Sequence, residues 1–563
     1  MERGNVNFME LLELSEDNYI QMFKRPLNIP SSGIRLTTSF LFLLCFVLGS
    51  SQTSVASAQA DPPHFHYLIS FPDPESHCLN LELQISNWEQ DTIRLKLPNW
   101  MPGYYQMMDY AKDLEHILCR DQNGDSLPVD RINENTWTIS GVSNRSFVVS
   151  YTVRTRRQFV ATNYVDQEHA YLVPGNTFLY AEGHLQTPVS VKINKPSQWD
   201  GITTGLEAVI GNSDQFMASD FDRLYDCPIL IGDLEELPSF KVEGIEHRFI
   251  GYRLGSFNRL LFMENLEKAV QAAVEIIGEI PYEQYTFIAI GPGFGGIEHL
   301  NNTTVSFDGS RLNSPEGMDR MMSFLTHEYF HHYNVKRIRP FELGPFDYDR
   351  ENRTNLLWVA EGFTVYYEAL ILKRAGLIDA ETFLSHFNAE LNTLENDPGR
   401  FHQSLAQASY NTWEDGPFGD GGTGPDRSIS VYNKGAILAM LLDLEIRFLT
   451  RNRKSLDDVL RELYRKYYKG KKRGFTDAEF QQLCEEVAGS SLTDLFEYVY
   501  TTKEFEYEKY LNQAGLAMER QRDGTNENIQ ILRIKPQVNP GPLQAAIFSS
   551  WSGELSIKSN TEK

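Results

Sequence analysis

Two periods of hydrophobicity divide the chain. Over 64–71, 78–88, 92–97, 146–156 and 188–195, apolar and β-branched residues alternate with polar ones or run together, which predicts strands with one buried face. Asn123-Gly124 and Asn133-Glu134-Asn135 supply turns between them, so 61–250 reads as an all-β, sandwich-like domain. Past 255 the period becomes helical: Leu260, Leu261, Met263, Leu266, Val270, Ala273, Ile276 and Ile277 mark one face of a helix that stops at Pro281. Ser314 caps the next helix, with Pro315 at its first position and Met318, Met321, Met322 and Leu325 as its apolar stripe. A further helix covers 355–375, closed by Lys373, Arg374 and Gly376. Others follow Val431, two of them opened by capping boxes at Ser455/Asp458 and Thr476/Glu479. The segment 255–505 is therefore mostly α.

The chemistry sits in that helical half. In Thr326-His327-Glu328-Tyr329-Phe330-His331-His332-Tyr333, the imidazoles of His327 and His331 are one turn apart on one face, and Glu328 lies beside them. Two imidazoles and a carboxylate on a buried helix are costly unless something pairs them, and zinc is the candidate. His332 lies roughly 140° around the helix from His327, which makes it a surface or packing residue. One helix downstream, Glu361 stands where the third protein ligand of a His2Glu site belongs. Glu368, two turns further on, reads as an exposed glutamate, with a role beside the ligands as the alternative. Before these helices, 285–290 is a short apolar strand running into Gly291-Pro292-Gly293-Phe294-Gly295-Gly296-Ile297-Glu298-His299. Gly295 and Gly296 let a ligand backbone approach, and Glu298 either receives a cationic group or serves as a turn carboxylate. Residues 97–105, rich in Pro and aromatic side chains, read as a packed bend, and 415–426 as a glycine-rich rim loop.

Composition narrows the partners. With 563 residues, 41% of them hydrophobic, the chain can bury two or three cores. A formal charge of −24 argues against nucleic acid or an anionic membrane surface as partner. The apolar run 40–48 is too short to span a bilayer and reads as a signal-peptide core. It is flanked by Lys24, Arg25 and Arg35 and followed by Ala56-Ser57-Ala58. Residues 1–58 thus form an N-terminal extension and leader, with Met22 as an alternative start. The expectation is export, periplasmic or secreted, with cleavage near Ala58 and no membrane span in the mature chain; an uncleaved anchor is the alternative. Cys78, Cys119, Cys227 and Cys484 remain, without metal or redox spacing, and predict at most one disulfide.

Several motifs in this order carry a family resemblance. They are Trp100-Met101-Pro102-Gly103-Tyr104, Gly295-Gly296-Ile297-Glu298-His299, and the stretch 327–340 with Asn334-Val335-Lys336-Arg337-Ile338-Arg339-Pro340. The stretch 357–367 and Tyr432-Asn433-Lys434-Gly435 complete the set. Across about 64–520 the chain resembles the glycyl-aminopeptidase-type gluzincin metallopeptidases, exported proteins built from a β domain, a thermolysin-like domain and a C-terminal PDZ domain. The resemblance implies that Glu361 is the third zinc ligand, that Tyr432 stabilises the oxyanion, and that Glu298 anchors the free amine of a peptide substrate. The segment 506–563 is short for a whole PDZ module and is expected to hold only its opening strands, or a tail.

Together these readings predict a one-zinc aminopeptidase with Glu328 as general base. The substrate strand is expected to align beside 285–290 until its N-terminus meets Glu298. Two rivals stand beside it: an endopeptidase of the same fold, and a non-catalytic binding protein in which zinc is structural.

Overall fold

The computed structural model describes residues 62–553 except Arg156, Asp420, Gly422, Thr423, Pro425 and 523–528. The expected leader lies outside the described residues, and among them no helix is long and apolar enough to cross a membrane.

The N-terminal part is all β. Cys78–Trp88 shows why: Leu79, Leu81, Leu83 and Ile85 are buried in strict alternation with solvated residues, so one face of a long strand must be covered. Its neighbours His64–Ser70 and Arg145–Arg154 belong to the same eight-stranded sheet. Two four-stranded sheets complete the part, one built on Thr92–Lys96 and Thr136–Ser140, the other on His169–Leu172 and Ile229–Gly232. Tyr67, Phe178, Leu179, Trp199, Phe221 and Tyr225 fill the core between them.

The strands within 235–250, assigned by periodicity to this β domain, pair elsewhere. Ile245–Gly251 runs parallel to Gln284–Ala289, which runs parallel to Asn302–Val305, and Gly296–Glu298 returns antiparallel along the outside. The second part therefore owns a mixed six-stranded sheet that begins before the expected boundary. Alternation identifies a strand but not the sheet it joins, so the boundary is set by pairing partners that sequence periodicity cannot see.

The described α-helices are α1 Phe221–Tyr225, α2 Arg259–Ile277, α3 Pro315–Phe330, α4 Leu357–Arg374, α5 Ala380–Glu395, α6 Leu405–Asp415, α7 Val431–Leu449, α8 Leu456–Leu463, α9 Asp477–Ala488, α10 Thr493–Tyr500, α11 Tyr507–Leu511 and α12 Pro542–Trp551. Helix α4 is buried nearly all round, which places it at the centre of the helical part. It crosses α7 closely because Gly362 and Gly435 face each other: a Cβ on Gly362 would stand 2.5 Å from the Gly435 Cα. Beyond α11, a hairpin of Leu516–Arg522 and Gln530–Pro536 precedes α12. Cys78, Cys119, Cys227 and Cys484 are free thiols.

Candidate metal centre and substrate cleft

Helix α3 starts as its sequence dictates. Ser314 Oγ accepts from the Gly317 N–H at 3.0 Å, with Pro315 at the first position. The helix ends at Phe330, with His331 as its C-terminal cap residue in right-handed helical geometry. His327 and His331 therefore share one face. The Nδ1 of His327 faces Glu368 Oε2 at 2.9 Å, and that of His331 faces the Asn334 carbonyl at 2.7 Å. Both partners only accept, so both Nδ1 atoms carry the proton and both Nε2 lone pairs point the other way.

Those lone pairs converge. His327 Nε2 lies 3.0 Å from His331 Nε2, and Glu361 Oε2 lies 3.7 and 3.3 Å from them. Bonds of about 2.0–2.1 Å to a tetrahedral zinc separate ligand atoms by about 3.3 Å. The three atoms, all within 4.8 Å of one another, thus fit one such ion. Burial opposes ionisation of Glu361, but the two imidazoles outweigh it and hold its carboxyl well below the usual range. Asn334 braces the trio: its side-chain amide donates to the carbonyls of Val359 and Ala360 at 2.8 and 3.0 Å, immediately before Glu361.

Glu328, 6% exposed, lies next to the trio, and burial first of all pushes its carboxyl up to about 7. Gly296 lies directly on it: a Cβ there would be 2.6 Å from the Glu328 Oε1. Gly295 adopts φ +92°, open only to glycine without strain, and its Cα faces Val160 of the β part. Glu298, at the end of the same edge strand, is 5% exposed. It packs on Gly103, where a Cβ would stand 2.7 Å from its Oε2. Tyr432, in the first turn of α7, stacks at 6.1 Å on His327 and at 5.2 Å on Phe418 of the rim loop. Burial, then the nearby carboxylates of Glu361, Glu298 and Glu328, hold its phenol well above the ordinary value.

Three details depart from the sequence reading. Glu368 is not a solvated glutamate: it accepts from Ser323 Oγ at 2.9 Å and fixes His327. The bend at 97–105 delivers Tyr105 into the site, where burial and the carboxylates of Glu361 and Glu298 raise its phenol pKa. The signal was Tyr105 itself, next to the quoted motif. The strand Gln284–Ala289 cannot take a substrate strand, because both its edges are already paired. Gly296–Glu298 is an edge strand of the sheet. His332 is fully buried among Tyr282, Tyr285, Tyr329 and Tyr333, a packing residue.

An all-β domain ahead of a helical domain, with His327, His331 and Glu361 converging, defines a zinc metallopeptidase. Two family descriptions match, the Peptidase M61 N-terminal domain over 66–233 and the M61 glycyl aminopeptidase over 320–438, together just over half of the chain. The chain belongs to the M61 glycyl aminopeptidase family. Among solved structures it is similar to an aminopeptidase N family protein of Idiomarina loihiensis, with 28% identity, a TM-score of 0.76, and coverage of 81% of this chain and 79% of that one. It is more distantly similar to an M1 zinc metallopeptidase of Deinococcus radiodurans, at 12% identity, TM-score 0.47, covering 78% and 94%. Native yeast LTA4 hydrolase follows at 14% identity, TM-score 0.48, covering 79% and 69%. No curated protein matches.

Proposed function

We propose that this chain is an exported aminopeptidase that removes residues from the free N-terminus of peptides, holding one zinc ion on His327, His331 and Glu361. The observation that carries the exopeptidase reading is Glu298, a nearly buried carboxylate that ends the edge strand beside the ligand trio and is closed off by Gly103 and Tyr105. A substrate backbone paired along Gly295 and Gly296 would bring its ammonium to that carboxylate and leave no room for further chain on that side.

Zinc, when bound, supplies Lewis acidity that polarises a carbonyl and makes water a better proton donor. Glu328, against Gly296, takes the proton of the attacking water and passes it to the leaving amine. The Tyr432 hydroxyl, protonated at every working pH, donates to the developing oxyanion. The hairpin after α11 supports reading 506–563 as the opening of a PDZ-like segment, and the apolar run 40–48 with Ala56-Ser57-Ala58 supports export.

The test pairs metal analysis with kinetics. The purified protein should hold one zinc per chain, and Glu328→Gln should keep it while losing about 10²–10⁴-fold in kcat. N-acetylated peptides should be poor substrates, and Glu298→Ala should narrow the gap between free and acetylated forms. A zinc-loaded Glu328→Gln variant at near-normal rate would refute the base; blocked peptides cut as fast as free ones would replace the exopeptidase reading with an endopeptidase.

A further inference from the structure

Two residues past Glu298, the backbone of Leu300 is held from both sides. Its N–H donates to Asp226 Oδ2 at 2.7 Å, and its carbonyl accepts from Arg337 Nη1 at 3.0 Å. Asp226 comes from the β part, following α1, whereas Arg337 lies six residues after the ligand His331. The two contacts thus tie the chain just past the anchor strand to the β part on one side and to the segment that follows the zinc-ligand helix on the other.

The attachment is dense. Asp226 Oδ1 also meets His299 Nδ1 at 3.1 Å and Lys336 Nζ at 2.6 Å. The Asp226 carbonyl accepts from Asn302 at 3.3 Å, and Asn301 donates to the Gly205 carbonyl at 3.1 Å. Arg337 donates as well to the carbonyls of His332 and Pro281, at 2.6 and 3.1 Å. Asp226 is 7% exposed and His299 1%. Burial works against the Asp226 carboxylate, but Lys336 and His299 outweigh it and hold it ionised. A buried carboxylate with this many donors accepts little movement, since each lost partner leaves a charge or an amide uncompensated.

We propose that Asp226 and Arg337 are positioning residues that fix the distance between Glu298 and the zinc-ligand helix, and so make amine recognition strict. The proposal rests on reading Glu298 as the amine anchor. An exopeptidase must hold its anchor at one fixed separation from the scissile bond; a strand end that drifts accepts blocked or frame-shifted peptides instead. This gives a task to the side chains of His299, Lys336 and Arg337, which lie in family motifs and meet Asp226 or the Leu300 backbone rather than supplying an atom to the ligand trio.

The experiment measures free and N-acetylated forms of one peptide on wild type, Asp226→Asn, Arg337→Lys and Glu298→Ala, together with zinc content and amide hydrogen exchange over 298–301. Asp226→Asn is expected to keep its zinc, to lose about 10-fold in kcat/KM on the free peptide, chiefly through KM, and to leave the acetylated peptide unchanged. Exchange at 298–301 should rise. Arg337→Lys reaches the same carbonyl from the other side and should behave alike, which covers the case in which Asp226→Asn does not fold. Equal losses on both peptides, or unchanged exchange at 298–301, would overturn the proposal. Discrimination lost in Glu298→Ala but retained in Asp226→Asn would remove this proposal alone. Discrimination that Glu298→Ala leaves intact would remove the Glu298 reading and the proposal with it.

Discussion

A histidine in a spacing motif becomes a metal ligand only when something fixes which nitrogen is free. At His327 that group is Glu368, whose carboxylate accepts a hydrogen bond from the Nδ1–H at 2.9 Å and is itself held by Ser323. Losing it would leave the ring free to change tautomer and to rotate. Glu368→Ala is therefore expected to weaken zinc binding about 10–100-fold, measured by competition with a chromophoric chelator, while the protein stays folded. An unchanged affinity would reduce Glu368 to a packing contact. At this scale the candidate trio was legible, because helical spacing alone puts His327 and His331 on one face and a downstream carboxylate, Glu361, offers the third atom. Glu368 and Tyr105 were not. Glu368 lies on the same face as Glu361, but whether that face meets imidazole or water depends on which helix packs there, and periodicity carries no such information.

At the scale of elements, the site is made by two close approaches. One is the crossing of α4 and α7, where Gly362 and Gly435 bring Glu361 and the Tyr432 turn together. A Cβ on Gly435 would meet the Gly362 Cα and the Trp358 carbonyl, both at 2.9 Å and both backbone atoms that cannot rotate aside. Gly435→Ala should thus push the helices apart and cost about 1–3 kcal/mol in a denaturant unfolding experiment. It should also lower kcat/KM, with the zinc ligands intact. Wild-type stability would mean that the crossing is looser than it stands here. The other approach is Gly296 on Glu328, which places an edge strand over that carboxylate. Gly362, Gly435 and Gly296 were visible as letters, but glycines also mark turns, and only the packed structure distinguishes a close crossing from a bend. The same limit explains the strand at 285–290: its apolar run was recognised, but an apolar run is what a strand paired on both sides looks like, and that excludes it as the docking edge.

For the whole molecule, the open question in the sequence was the C-terminal stretch, expected to be a short remnant or tail. In the structure it is built into the helical part. Asn388 and Asn392 on α5 and Asn396 at its C-terminal cap, one turn apart, bond the backbone of Ile534, Leu532 and Gln530, so the helix presents a ladder of amides to the edge of the hairpin. Helix α12 then inserts Trp551, fully buried, against Phe383 and Phe387, with ring centroids at 4.7 and 5.5 Å. Its indole N–H donates at 2.8 Å to the Tyr366 hydroxyl, which donates in turn to Asp443 at 2.6 Å. Tyr366 stands on α4, the helix of Glu361, so the C-terminal segment braces the same element that carries the third candidate ligand. None of this follows from local pattern, because the partners are separated by more than seventy residues. Trp551→Ala should remove about 3–5 kcal/mol of stability, since it empties a large buried volume and takes away the donor to Tyr366. Trp551→Phe keeps most of the ring volume and should lose much less, which separates packing from the hydrogen bond. Urea unfolding of both variants, followed by tryptophan-independent circular dichroism, measures the difference. A loss below about 1 kcal/mol for the alanine variant, within the range of ordinary surface substitutions, would mean that the segment is a dispensable tail rather than part of the helical core.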